Sequence, residues 1–134
     1  MDPESTDLFV ETSVLVSIVF RESGYVRLLD VIGARAEVFL SAANPAEALL
    51  VVERRNGAAA VAELEILLEK IEATVVPFDA AQARLAHEAF QRYGKGRHPA
   101  GLNFGDCLSY AAAKACGAVA VRGRGFRADG SRVG

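Results

Sequence analysis

Short apolar runs alternate along the chain with longer stretches in which apolar residues recur every three or four positions. Leu8-Phe9-Val10, Val38-Phe39-Leu40, Thr74-Val75-Val76-Pro77 and Ala118-Val119-Ala120-Val121 are the short runs. They predict four buried strands. The longer stretches predict helices, and most carry their own start and stop signals. Thr12 or Ser13 caps a helix that runs to Phe20, and Tyr25 to Ile32 forms a second that stops at Gly33. Asn44-Pro45-Ala46-Glu47 reads as a strong start, with Asn as N-cap, Pro at the first helical position and Glu at the third. That helix runs to Arg55, where Asn56-Gly57 ends it, and an amphipathic helix follows from Ala58 to Glu72. Asp79 caps Ala80 to Tyr93, with Gln82 completing a capping box. Asn103 caps a last helix that reaches about Cys116 and stops at Gly117. Strands alternating with helices predict an α/β fold: a three-layer, Rossmann-like α/β/α sandwich around a mostly parallel sheet. Residues 1–6 read as a loose polar leader and 7–134 as one domain.

Composition narrows the class. Of 134 residues, 51% are apolar, which is globular rather than disordered. The net charge of −2 gives no bulk attraction to nucleic acid, so any such contact must come from local patches. Apolar stretches are too short to span a bilayer and no secretory leader is evident, so no membrane role and a cytoplasmic location are expected. Cys107 and Cys116 lie on one predicted helix, too far apart to pair at about 1.5 Å rise per residue. Neither cysteine nor histidine shows zinc-like spacing, and both cysteines read as small core residues.

Candidate chemistry lies with three acids. Glu11 ends the first strand, Glu47 falls in the first turn of the Asn44 helix, and Asp106 is at the third position of the Asn103 helix. Each also has an ordinary explanation. Glu11 reads equally as the first solvated residue after a strand, and Glu47 and Asp106 as capping-box acids. In a doubly wound sheet, however, all three positions gather along the carboxyl edge of the strands. Three carboxylates sharing one pocket repel one another and call for a cation. Oxygen ligands without Cys or His suit Mg²⁺ or Mn²⁺. A divalent ion so held activates water and stabilises in-line displacement at a phosphodiester. Before Asp106 runs the Gly-rich loop Gly94-Lys95-Gly96-Arg97-His98-Pro99-Ala100-Gly101, which reads as a flexible, solvated loop or as a phosphate contact. It lacks the Gly-Lys-Ser/Thr ending of a Walker loop. His87, alone on its helix, reads as a surface or half-buried residue.

Three segments carry a resemblance: Phe9-Val10-Glu11-Thr12-Ser13-Val14-Leu15; Ser41-Ala42 to Glu47; and Arg92-Tyr93-Gly94-Lys95-Gly96-Arg97-His98-Pro99-Ala100-Gly101-Leu102-Asn103-Phe104-Gly105-Asp106-Cys107. Together they resemble the PIN domain, and more narrowly the VapC-type toxins of bacterial toxin–antitoxin pairs. The similarity runs from Leu8 to Phe126. It implies a Mg²⁺-dependent (or Mn²⁺-dependent) endoribonuclease that forms a homodimer and meets a cognate VapB-type antitoxin. Carried over by position, Glu47 and Asp106 match two family acids, and Ser13 and Asn103 match the polar residues that orient them. Lys95, Arg97 and Arg124 would hold RNA phosphates.

Two positions depart from the family pattern. Glu11 stands where the family has Asp, and the extra methylene moves the carboxylate by about 1.5 Å. Mg²⁺ demands near-ideal octahedral geometry and tolerates such a displacement poorly. Gly125, preceded by Arg124, stands where the family has a further acid, and Asp129 is the nearest replacement. Two function classes therefore remain. One is a VapC-like ribonuclease built on Glu11, Glu47 and Asp106. The other is a PIN-fold binding protein with a decayed site that dimerises and binds an antitoxin or RNA.

Overall fold

The structure, a computed structural model, describes residues 7–34, 37–116 and 119–121. The leader at 1–6, the Gly117 stop and the tail with Arg124, Gly125 and Asp129 lie outside the described residues. Four strands form one sheet: β1 (Leu8–Val10), β2 (Val38–Ser41), β3 (Thr74–Val76) and β4 (Val119–Val121). Their order is β3-β2-β1-β4 and every pairing is parallel. The helices are α1 (Thr12–Val19), α2 (Tyr25–Gly33), α3 (Ala43–Ile71), α4 (Ala80–Tyr93) and α5 (Phe104–Cys116). Among the described residues no helix is long and apolar enough to cross a membrane.

Strand residues alternate between the two faces of the sheet, and the core divides accordingly. Leu8, Val10, Val38 and Leu40 pack into one layer with Val14, Leu15 and Ile18 of α1, Ile32 of α2, and Val52 and Leu64 of α3. Phe9 points the other way, with Phe39, onto Ala112 and Ala113 of α5. Those alanines leave room for the phenyl rings between helix and sheet. α4 lies outside α5, joined through Ala86, Ala89, Leu108 and Ala111. The result is the α/β/α sandwich that the strand–helix alternation predicts.

Three local expectations need correction. Glu11, not Thr12 or Ser13, is the N-cap of α1. Asn44 is not an N-cap. α3 begins two residues earlier than Pro45, at Ala43, and Asn44 is fully buried inside its first turn. The Asn-Pro-x-Glu signal was read in the wrong register because Asn44 serves tertiary contacts instead. On α4, Asp79 caps Gln82 N at 3.0 Å as expected, but the Gln82 amide does not return to close the box. It donates instead to Ala111 O at 3.3 Å and ties α4 to α5. The expected break at Asn56-Gly57 is present as a kink inside α3. Gly57 there has φ 65°, which L side chains rarely adopt.

Topology then fixes where a site can form. From β1 the chain steps to β2 and β3 on one side, then returns through α4 and α5 to β4 on the other. The direction of travel reverses beside β1. At such a switch point the helices that follow neighbouring strands diverge, leaving a crevice at the strands' carboxyl ends. Glu11 is the first residue after β1 and stands at that crevice.

Candidate active site

A cavity of about 390 Å³ opens at this edge. Glu11, Glu47 and Asp106 all line it, together with Ser13 and Asn103. Positions 11, 47 and 106, far apart along the chain, thus converge on one space. Glu11 has only 5% of its surface exposed. Its carboxylate accepts the hydroxyl proton of Ser13, two residues on in the first turn of α1. Burial and that bond give the Glu11 side chain a defined direction at the cavity floor.

Asp106 is held by a reciprocal capping box. Asn103 Oδ1 accepts from Asp106 N at 2.9 Å, and Asp106 Oδ2 accepts from Asn103 N at 3.1 Å. Both halves of the motif read from the sequence are therefore made, and the ordinary role of Asp106 is real. It does not exclude a second role, because the box occupies Oδ2 and Asp106 still lines the cavity. The acid stands in the first turn of α5, where the helix dipole favours negative charge by about 0.3–1 kcal/mol.

Glu47 loses its ordinary explanation. With α3 starting at Ala43, Glu47 lies past the capping positions. Its carboxylate reaches across to the start of α5. A Cβ placed on Gly105 would lie 3.1 Å from both Glu47 Oε1 and Oε2, and 3.5 Å from Asn103 Oδ1. Glu47 thus leans on the same helix terminus that carries Asp106. Two helix N-termini, those of α1 and α5, face the three acids and offset part of their mutual repulsion.

Beneath the acids sits a polar hub that the sequence reading missed. Asn44 Oδ1 accepts from Ser41 N at 3.0 Å, and Asn44 Nδ2 faces Thr12 Oγ1 at 3.1 Å and Ser109 Oγ at 3.3 Å. Thr12 Oγ1 also lies 3.5 Å from Asn44 O. One buried amide therefore links the end of β2, the start of α1, the start of α3 and the first half of α5. These are the elements that carry the three acids. The only sequence signal was an Asn beside Pro45, which capping explained too readily.

The cavity wall also includes Glu22 and Arg55, neither singled out from sequence. Lys95 and Arg97 do not line it. They are exposed on the 94–101 loop, whose backbone makes several hydrogen bonds of its own. Lys95 N donates to Leu102 O at 3.0 Å, Leu102 N to Tyr93 O at 2.9 Å, and Ala100 N to His98 Nδ1 at 2.9 Å. His98 stacks edge-on against Tyr93, so it serves the loop's own shape. His87 is exposed and Cys107 is buried, as expected.

The donor set suits a hard divalent cation: carboxylates and hydroxyls, with no thiol or imidazole among the described residues of the wall. Among the described residues, though, no three Asp, Glu, His or Cys side chains already stand in an ion-holding arrangement. The acids share the cavity but would have to draw together around a cation.

The comparisons with known proteins bear on the family and the fold. The family model described as PIN domain matches residues 8–128. The chain is 39% identical over 121 residues to "Ribonuclease VapC" of Mycolicibacterium smegmatis, covering 90% of this chain and 94% of that protein. It is 41% identical over 109 residues to "Ribonuclease VapC36" of Mycobacterium tuberculosis, covering 80% and 78%. Among solved structures, Mycobacterium tuberculosis VapC20, titled a sarcin-ricin loop cleaving toxin, superposes with TM-score 0.74 at 19% identity over 94% of this chain and 96% of that one. VapBC2 of Rickettsia felis, bound to a promoter DNA fragment, superposes with TM-score 0.65 at 16% identity over 85% and 84%. These two structural matches speak to the fold alone.

Proposed function

The chain belongs to the PIN domain family, with VapC ribonucleases among its relatives, and we propose that it is the endoribonuclease toxin of a VapBC-type pair. The observation that carries this reading is the convergence of Glu11, Glu47 and Asp106, from three separate elements, on one cavity at the sheet's carboxyl edge. In this reading the three carboxylates hold Mg²⁺ or Mn²⁺. When bound, such an ion activates water and neutralises charge developing on a phosphodiester. The chain's own residues prepare the place. Ser13 aims Glu11, Asn103 aims Asp106, and Gly105 leaves space for Glu47. Lys95 and Arg97 draw RNA phosphates toward the cavity from outside it, which a protein of net charge −2 needs from a local patch. The toxin works as a homodimer in the cytoplasm and is silenced by a VapB-type antitoxin. The relatives' names support the toxin part of that assignment.

Calorimetric titration with MnCl₂, paired with RNA cleavage in the presence and absence of EDTA, tests this reading. The expected result is one ion bound per chain at millimolar metal or below, and cleavage that EDTA abolishes. Absence of both sinks it.

One observation favours a second reading, a binding protein with a weakened site. Glu11 is a residue longer by one methylene than the Asp of the family pattern, and its carboxylate is already engaged by Ser13. In that case the titration shows no metal uptake, while self-association and antitoxin binding persist.

A further inference from the structure

Arg55 is the one cation among the described residues that line the cavity. Its surroundings hold it there. The guanidinium carbon lies 4.0 Å from the centre of the Phe20 ring, a cation–π distance. Arg55 Nη1 lies 3.7 Å from Glu22 Oε2, and Glu22 Oε1 in turn accepts from Ser17 Oγ at 2.9 Å. Ser17 is buried in α1, so the relay Ser17–Glu22–Arg55 starts from a rigid point. Arg55 itself occupies the last position before the Asn56-Gly57 kink of α3, where the helix backbone stops being regular.

A surface ion pair at 3.7 Å stabilises a protein by at most about 1 kcal/mol, and the Arg55 side chain is 50% exposed. Stability alone is a weak reason for fixing it on two sides. The ring takes one face of the guanidinium and Glu22 takes one edge. A planar group with five donors keeps others to offer. Those remain on the wall of a cavity whose other charged groups, among the described residues, are the carboxylates of Glu11, Glu22, Glu47 and Asp106. A polyanion entering that cavity needs a cation, and a preset fork of donors matches phosphate geometry at little entropic cost.

We propose that Arg55 binds an RNA phosphate beside the one that is cut, and that Glu22 and Phe20 are positioning residues that hold its guanidinium against the cavity wall. The proposal rests on the ribonuclease reading above and names the contact by which that site takes hold of its substrate. Lys95 and Arg97 then gather RNA from the loop, and Arg55 sets its register within the cavity. Glu22 also attenuates Arg55, because it shares the charge that a phosphate would otherwise have to itself.

The test measures binding of a fluorescein-labelled random-sequence RNA oligonucleotide to the full chain, with Ca²⁺ in place of Mg²⁺, across a range of KCl concentrations. Phosphate contacts are independent of sequence, so the true target is not needed. Arg55→Gln is expected to weaken binding about five- to tenfold. It should also make the slope of log affinity against log salt shallower by about 0.7, the value of one phosphate contact on a single strand. Arg55→Lys should restore the slope, and thermal midpoints should stay within a few degrees. Glu22→Gln should tighten binding a few-fold in the wild-type background and leave it unchanged in the Arg55→Gln background. Equal gains in both backgrounds would show that Glu22 acts as a bare charge and not through Arg55. Wild-type binding that Arg55→Gln leaves unaltered in strength and slope overturns the phosphate contact while the ribonuclease reading stands. A wild-type chain that binds no RNA at any salt concentration removes both.

Discussion

Glu47 rests so closely on Gly105 that a methyl group there would lie 3.1 Å from each of its carboxylate oxygens. The contact joins α3 to the first turn of α5 and brings Glu47 beside Asp106. Glycine near the start of a helix is costly in backbone entropy, and Ala would be better by about 0.5–1 kcal/mol on propensity alone. Gly105→Ala should therefore separate stability from function. We expect an unchanged or slightly raised thermal midpoint, because the added Cβ meets only a flexible side-chain end. We also expect Mn²⁺ affinity and RNA cleavage to fall by about tenfold as Glu47 is displaced. Calorimetry beside a melting curve checks this. Metal affinity equal to wild type would mean that Glu47 does not act from this position.

Asn44 supports the site from below. Replacing it with Ala strips partners from Ser41 N, Thr12 Oγ1 and Ser109 Oγ, all at the junction of β2, α1 and α5. Ser41 and Ser109 are themselves buried, so the deserted groups find little water. Each unsatisfied buried group costs about 1–3 kcal/mol. Asn44→Ala should lower unfolding free energy by about 2–4 kcal/mol in urea titration, well above a helix-cap loss. A change under about 1 kcal/mol would show the hub to be dispensable.

These two residues mark where the sequence was legible and where it was not. The four strands and the breaks at Gly33 and Asn56-Gly57 were readable because apolar periodicity and glycine placement are local properties. The Asp79 cap and the Asn103–Asp106 box were readable for the same reason, since each is complete within four residues. Asn44 misled because a local rule, Asn before Pro, fitted a residue whose partners lie 32 and 65 positions away. Gly105 carries no local signal, since its need is set by Glu47 from another element. Arg55 carried no motif at all. Its role comes from Phe20 and Glu22, brought to it by the packing of α1 against α3. The three acids were legible as positions on a topology, and Glu47 and Asp106 also through the family resemblance; their gathering needed the reversal of strand order beside β1.

Asn103 supports Asp106 through both strands of the capping box. Asn103→Ala should destabilise the chain by about 1 kcal/mol, the usual cost of an N-cap. It should reduce RNA cleavage by more than that stability loss explains, because an uncapped first turn of α5 loosens the Asn103 N–H that holds the Asp106 carboxylate. Asn103→Ser restores a hydroxyl acceptor for the Asp106 amide and should recover most of the stability. Cleavage that tracks stability across the two variants would reduce Asn103 to a helix cap.

Glu11 offers the most direct test of whether the site is tuned or weakened. Its side chain is 5% exposed and its carboxylate is spoken for by Ser13, so the group has little freedom to follow a metal ion. Shortening it by one methylene withdraws the carboxylate by about 1.5 Å toward the end of β1. Mg²⁺ requires ligand oxygens at about 2.0–2.1 Å in octahedral array, so a shift of that size decides whether an oxygen can coordinate at all. Asp is the residue of the PIN family pattern at this position, so the shorter acid restores the side-chain length that the pattern pairs with the other two carboxylates. We expect Glu11→Asp to raise Mg²⁺ affinity and RNA cleavage, both by several-fold, with the gain larger in Mg²⁺ than in the geometrically more tolerant Ca²⁺. Should the Asp variant cleave no better than wild type while binding metal equally well, Glu11 is adapted to this cavity and the longer side chain is part of its design.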